Sequence, residues 1–330
     1  MREPRFWRQH GAPARLLAPL AAVYGAIAGT RMGRPGVRAG VPVICVGNLT
    51  LGGAGKTPTA IALTKLLIAQ GRQGFFLSRG YGGALAGPVR VAAQHRADEV
   101  GDEPLLLAKV APTIVARDRV GGAALAVAEG ADVIVMDDGF QNPSLAKDFS
   151  LVVLDGERGI GNGLVFPAGP LRAPLDAQLA RAGALLVVGE PATSAQAVIA
   201  RAQAHGLPVL RGQLIPDPAT VASLAGKKVL AFAGIAHPEK FFATLATAGI
   251  ATPVTRAFPD HHAFTRDEAK ELLESAKREA LELLTTEKDL TRLRGNAATA
   301  DLIEMARALP VTMVFEQQKK IEALLSSVMT

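Results

Sequence analysis

The stretch VGNLTLGGAGKTPTAIALTKLL, Val46 to Leu67, constrains this chain more than any other. A short β-branched strand runs into a glycine cluster, then Lys56-Thr57, then an apolar-periodic helix. The P-loop pattern G-x-x-x-x-G-K-[ST] has this layout. Its last three positions are Gly55, Lys56 and Thr57, and its first glycine slot is Thr50. Gly52 and Gly53 add freedom for positive φ and close backbone approach. Successive amides and the helix dipole then face an anion. The predicted cradle is Thr50, Leu51, Gly52, Gly53, Ala54, Gly55, Lys56 and Thr57. Lys56 is expected to reach the terminal phosphates of a nucleotide and Thr57 to hold Mg²⁺. Pro58 suits the first helical turn, where its missing N–H has no intrahelical use.

Such a loop needs an acidic partner at the end of a neighbouring strand. ADVIVMDD supplies one, an apolar strand closing on Asp137 and Asp138. Adjacent carboxylates there repel and desolvate one another unless a cation compensates, so both are candidate metal residues; a helix cap is the alternative for one of them. Moving a phosphoryl group also requires a base for the acceptor. GDEP (Asp102, Glu103) and FPDHHAF (Asp260, His261, His262) offer carboxylates and imidazoles, with an N-cap and a solvated turn as the plainer readings. Lys288 and Asp289 are adjacent in TTEKDL, which breaks the N-K-x-D or T-K-x-D spacing of guanine readers and disfavours GTP.

From Val41 on, strand-like and helix-like runs alternate, which predicts a parallel sheet sandwiched by helices. Few aromatics, 5%, and many aliphatics suit buried parallel strands. The pattern restarts after PVLRGQLIPDP, so a boundary is expected near residue 212. The expected parts are an arm over 1–38, a P-loop domain over 39–212 and a smaller α/β domain over 213–330. The loop GERGIGNGLVFPAGPLRAPL is too long and glycine-rich for a mere connector. Cys45 is the one cysteine, which rules out an internal disulfide; its apolar strand makes it a core residue.

The net charge of +6 belongs to the arm. Residues 1–38 carry Arg2, Arg5, Arg8, Arg15, Arg31, Arg34 and Arg38 against Glu3, while the rest of the chain balances. This argues against a nucleic-acid-binding face on the core. Between the arginines lies LLAPLAAVYGAIA, thirteen residues interrupted by Pro19. That is short of the roughly 20 that span a bilayer. An apolar helix rimmed by arginine, with Trp7 and Tyr24, suits an anionic membrane surface. A secretory signal and a helix packed on its own domain are the rivals.

Taken together, VGNLTLGGAGKTP, SRGYGG, GDEP, DDGFQ, GNGLVFPAGPLR, FPDHHAFT and TTEKDLTRL, in that order, resemble the tetraacyldisaccharide 4'-kinases of Gram-negative bacteria. The resemblance implies transfer of the γ-phosphoryl of ATP, with Mg²⁺, to the 4'-hydroxyl of an acylated glucosamine disaccharide 1-phosphate, giving lipid IVA. It implies a peripheral protein on the cytoplasmic face of the inner membrane; no protein partner is implied. Carried onto this chain, it makes Asp102, assisted by His261, the catalytic base beside Lys56 and Asp138. Thr57, Asp137 and Asp138 become the metal residues. Arg79, Arg119 and Arg172 become candidates to steady the triphosphate or the 1-phosphate, and Lys288 and Asp289 to shape the nucleotide side or the domain contact. One departure stands out. The family commonly has an acidic residue after GPLR, and here it is Ala173. Asp137, Asp138, Glu157 or water would then replace it at a metal. A membrane-surface P-loop ATPase acting as a switch is the rival function; it leaves FPDHHAF and the long loop without a task.

Overall fold

The computed structural model describes residues 3–9 and 11–329. Arg2 of the basic arm lies outside the described residues, as do Met1, His10 and Thr330. Thirteen strands form two sheets among the described residues. They are β1 (Val43–Asn48), β2 (Gly74–Ser78), β3 (Val89–Arg90), β4 (Thr113–Val115), β5 (Val133–Asp137), β6 (Phe149–Asp155), β7 (Ala184–Val188) and β8 (Val209–Pro216), followed by β9 (Lys228–Ala233), β10 (Ala251–Ala257), β11 (Glu282–Thr286), β12 (Ala306–Leu309) and β13 (Val311–Phe315). The larger sheet runs β13-β8-β7-β6-β1-β5-β2-β4-β3, and the smaller β10-β9-β11-β12.

The larger sheet is parallel except at its edges, where β13 runs antiparallel to β8 and β3 to β4. Its central strands are buried on both faces, which is why they read as unbroken aliphatic runs. The two-residue period survives in where they pack. Val43 and Cys45 join the core on one face, Ile44 and Val46 that on the other. Cys45 is fully buried, and burial pushes its thiol up to about 12. The smaller sheet is likewise covered on both faces.

The predicted boundary at residue 212 falls inside β8, and the chain after it does not stay with the smaller sheet. β13 pairs with β8 from Val311↔Pro216 to Phe315↔Gly212. The helix Gln318–Ser326 then buries Ile321 and Leu325 in the larger core. VTMVF is apolar enough for either sheet; tertiary pairing decides, because β8 offers an open edge.

The arm is one helix, Ala12–Met32, of 21 residues, longer than the predicted apolar run. It continues through Pro19, which removes one backbone hydrogen bond but leaves the path intact. Ala14, Ala21, Gly25 and Met32 face the protein. At Gly25 an added Cβ would already sit 3.5 Å from Val165, so a small residue lets the helix lie close. Leu16, Leu20, Val23, Tyr24 and Ile27 are exposed. The preceding turn Arg5–Arg8 is stapled to the long loop: Trp7 Nε1 donates to Pro167 O at 3.0 Å, and Asn162 N donates to Trp7 O at 2.7 Å.

Candidate active site

β1 lies in the middle of the larger sheet, so its carboxyl end opens between neighbours that can supply side chains. The loop after it enters the helix Lys56–Ala69 through Gly55, whose φ of 88° is a left-handed conformation that glycine adopts without strain. Gly52 has φ 103°. The first part of the predicted cradle is committed elsewhere. Leu51 N donates to Pro170 O at 2.8 Å, and Thr50 O accepts from Asn48 Nδ2 at 2.7 Å and Arg172 Nε at 3.0 Å. The GPLR segment thus pins residues 49–51 as a short antiparallel bridge. Among the described residues, the amides from Gly52 to Thr57 donate to no protein group. The amides left without a protein partner thus run from Gly52 to Thr57, while Leu51 N and Thr50 O of the expected cradle are bonded to neighbouring segments.

Lys56 is folded back in this state. Its Nζ is 3.3 Å from Asn48 Oδ1, 3.5 Å from Gly52 O and 3.6 Å from Asp138 Oδ2. Asn48, which sequence reasoning passed over, also ties down Gly52 O at 3.0 Å. Its only signal was position, as the last residue of a fully buried strand.

The two adjacent aspartates have separate tasks. Thr57 Oγ1 donates to Asp137 Oδ2 at 2.8 Å. Asp137 Oδ1 is buried and, among the described residues, accepts nothing. Burial and the nearby Glu103 charge push its carboxyl up. An orphaned buried oxygen beside a P-loop hydroxyl fits a divalent cation, which would relieve that cost. No cluster of three or more potential ligands occurs among the described residues, so such an ion would rely on phosphate and water for most of its shell. Asp138 is occupied instead. Arg172 grips it with both terminal nitrogens, at 2.9 and 3.1 Å. Partial burial opposes ionisation, but Lys56 and Arg172 outweigh it and hold Asp138 well below the usual carboxylate range. Its φ of 57° is strained for a non-glycine residue, as at many sites. Ala173 is fully buried, and Gln178 Nε2 donates to its carbonyl at 2.7 Å. Glu157 is a solvent-facing side chain 3.7 Å from Lys240, so it does not take the missing acid's place.

The smaller sheet brings the third group of side chains. His261, with φ 55°, follows β10 and sets Nδ1 3.4 Å from Asp102 Oδ2. The two halves of the predicted dyad do meet. Asp102, however, is 2% exposed and both of its oxygens have partners: Oδ1 accepts Glu103 N at 2.9 Å, and Oδ2 also takes Arg292 Nε at 2.8 Å. Burial alone would raise its pKa. The bond from His261 and the charges of Lys288 and Arg292 prevail and keep it well below the normal range. In return, Asp102 raises the pKa of His261 against the effect of burial. Among the described residues, His261 Nε2 forms an ion pair with Asp260 at 3.9 Å, and the ring centroid of Tyr81 lies 4.9 Å from that of His261. His262 is structural, bonded to Glu268 at 2.9 Å and stacked on Phe258.

Arg292 was in the sequence in plain view but had no recognisable task. It follows Lys288 by one helical turn on Glu287–Leu293, so the two cations meet the adjacent carboxylates Asp102 and Glu103. Lys288 Nζ is 2.5 Å from Glu103 Oε1. Asp289 is fully buried inside the smaller unit, accepting from Gly234 N at 3.0 Å and Thr286 Oγ1 at 2.6 Å. Arg79 is exposed. Arg119 is buried, donating to Ala116 O and, at 3.3 Å, to Asp138 O. It borders a cavity of about 440 Å³ also lined by Arg31, Arg34, Arg117, Asn142 and Ser144.

A phosphate-binding turn after a central parallel strand, with a buried acid one strand away bonded to its threonine, defines a P-loop phosphotransfer protein. The chain matches the family described as tetraacyldisaccharide-1-P 4'-kinase over residues 13–330, and it belongs to that family. It is 54% identical to the tetraacyldisaccharide 4'-kinase of Rhodopseudomonas palustris (strain BisB5), covering 98% of this chain and 96% of that one. It is 59% identical to that of Methylobacterium sp. (strain 4-46) over 92% of each chain. The fold matches the "apo" form of LpxK from Aquifex aeolicus, crystallised in complex with ATP, with a TM-score of 0.74 at 27% identity over 96% of this chain and 99% of that one.

Proposed function

We propose that this kinase transfers the γ-phosphoryl of ATP to the 4'-hydroxyl of a tetraacylated glucosamine disaccharide 1-phosphate, at the cytoplasmic surface of the inner membrane. The observation that carries the reading is the Asp102–His261 pair, next to a Glu103 whose charge is felt by Asp137, the carboxylate bonded to Thr57 of the P-loop. A switch ATPase needs the P-loop but has no use for an acceptor base.

In this reading the free amides of Gly52–Thr57 take the phosphates, and Lys56 leaves Gly52 O to meet them. Asp138 and Arg172 hold the loop and the lysine in register. Thr57 and Asp137 would hold Mg²⁺, which when bound offsets charge on the phosphate oxygens. Asp102 is buried with a partner on each oxygen, so in this reading His261 Nε2 accepts the hydroxyl proton while Asp102 fixes a proton on Nδ1 and stabilises the imidazolium. The bond from the γ-phosphorus to the β-phosphate oxygen breaks, the bond to the 4'-oxygen forms, and ADP departs. Arg31, Arg34, Arg117 and Arg119 around the 440 Å³ cavity suit the acceptor's 1-phosphate. The exposed apolar face of Ala12–Met32 and its flanking arginines suit anionic lipid, so the enzyme meets its substrate in the bilayer. This helix is long and apolar enough to cross a membrane by length and composition alone. The peripheral reading rests on its packing along the long loop.

ADP release measured with and without acylated disaccharide 1-phosphate tests the assignment. Release that requires the acceptor supports it. Equal release with empty vesicles would instead make the protein a switch.

A further inference from the structure

Lys288 belongs to the smaller sheet's half of the molecule, yet its ammonium ends among the acids of the P-loop half. Nζ is 2.5 Å from Glu103 Oε1, and 30% of the side chain remains exposed. The helix Glu287–Leu293 is docked by Arg292 on Asp102 and by Asp289 on Gly234, so the lysine's base is held on both sides. A helix needing only an anchor to the other half already has one in the buried Arg292–Asp102 pair, whose side chains are 9% and 1% exposed. Lys288 adds a second, flexible cation, bonded to Glu103 and within the electrostatic reach of Asp102 and Asp137. Its charge acts on Glu103, Asp102 and Asp137, and also on His261. Those groups bracket the phosphoryl path, since Asp137 is bonded to Thr57 at the phosphate end and His261 stands at the acceptor end.

We propose that Lys288 is a catalytic residue parked on Glu103, which swings onto the transferring phosphoryl group when nucleotide fills the cradle and there stabilises the charge spread over its equatorial oxygens. A flexible four-carbon stem with a point charge suits a group that must change partners. The role parallels a charged finger inserted into a phosphoryl-transfer site, here supplied by the same chain from across the cleft. Lys288 keeps its proton throughout: the hydroxyl proton goes to His261, the electron pair of the broken bond to ADP. Closure of the two halves and chemistry are thereby coupled, because the finger and the cradle lie on opposite sides.

The inference rests on the kinase reading, and the two fail differently. If the wild-type protein phosphorylates no acylated disaccharide, the reading fails. If it does, Lys288→Met decides the inference. Affinity for ADP alone is compared with affinity for ADP plus aluminium fluoride, a mimic of the transferring group, in the presence of acceptor. The expected result is a loss of about 10²-fold for the mimic, ADP affinity within about threefold of wild type, and a matching fall in kcat. Equal losses for ADP and the mimic, or no loss, overturn it. Should Lys288→Met fail to fold by circular dichroism, Lys288→Gln is measured in the same way. A Glu103→Gln background closes the alternative of a simple ion pair: the Lys288→Met loss persists there if the lysine acts on phosphate, and its disappearance would overturn the proposal.

Discussion

At the scale of single residues, the site separates groups of like chemistry by what surrounds them. Asp137 and Asp138 are neighbours in sequence, yet one carboxyl is pushed up by burial and the other held down by Lys56 and Arg172. No pattern of letters distinguishes them; the partners come from Thr57 and from Arg172, far along the chain. The same holds for Asp102 and His261. Sequence reasoning paired them and made the aspartate the base; the partners it could not foresee are Arg292 and the Glu103 amide, one on each oxygen. The proposed role of His261 predicts a pH signature. His261 must be neutral to accept a proton, and Asp102 raises its pKa. Activity therefore climbs with pH through the His261 titration, and Asp102→Asn, which removes that carboxylate's charge, moves the climb to lower pH while lowering kcat. A kcat–pH profile checks it; a climb that stays in place, or moves to higher pH, contradicts the role given to His261.

At the scale of elements, what was legible was what local chemistry dictates. The strand–loop–helix around GGAGKT stands where its residues demand. Composition bounds the apolar run of the arm at Leu16 and Ala28, whereas the helix extends from Ala12 to Met32 with Pro19 inside it, and the small buried residues Ala14, Ala21 and Gly25 hold it against the protein. In the proposed membrane reading, the exposed row of Leu16, Leu20, Val23, Tyr24 and Ile27 is the side that meets lipid. Replacing Val23 and Ile27 together by aspartate should lower binding to anionic vesicles at least about tenfold, since each buried aliphatic side chain is worth about 1.5–3 kcal/mol. Co-sedimentation measures it. The melting temperature should hardly move, both side chains being more than half exposed already.

At the scale of the whole molecule, the site is assembled from two sheets that meet through charge. Asp102–Arg292, Glu103–Lys288 and Asp155–Lys240 all cross between the halves. The return of β13 and the last helix to the larger sheet ties the chain's end to the P-loop half, so the smaller sheet is an insertion between β8 and β13. Sequence periodicity could not show this, because the strands of both sheets are aliphatic and only pairing assigns them. The arrangement makes one claim above the others: phosphate gripped by the first half passes to an acceptor whose proton is taken by the second. The direct test is to incubate the enzyme with ATP radiolabelled in its γ-phosphate and acylated glucosamine disaccharide 1-phosphate, then separate lipids by thin-layer chromatography. The account predicts label in a more polar lipid that appears only with acceptor and falls about 10²–10³-fold in Lys56→Ala. Label found only as inorganic phosphate, with the lipid unmarked, would contradict it.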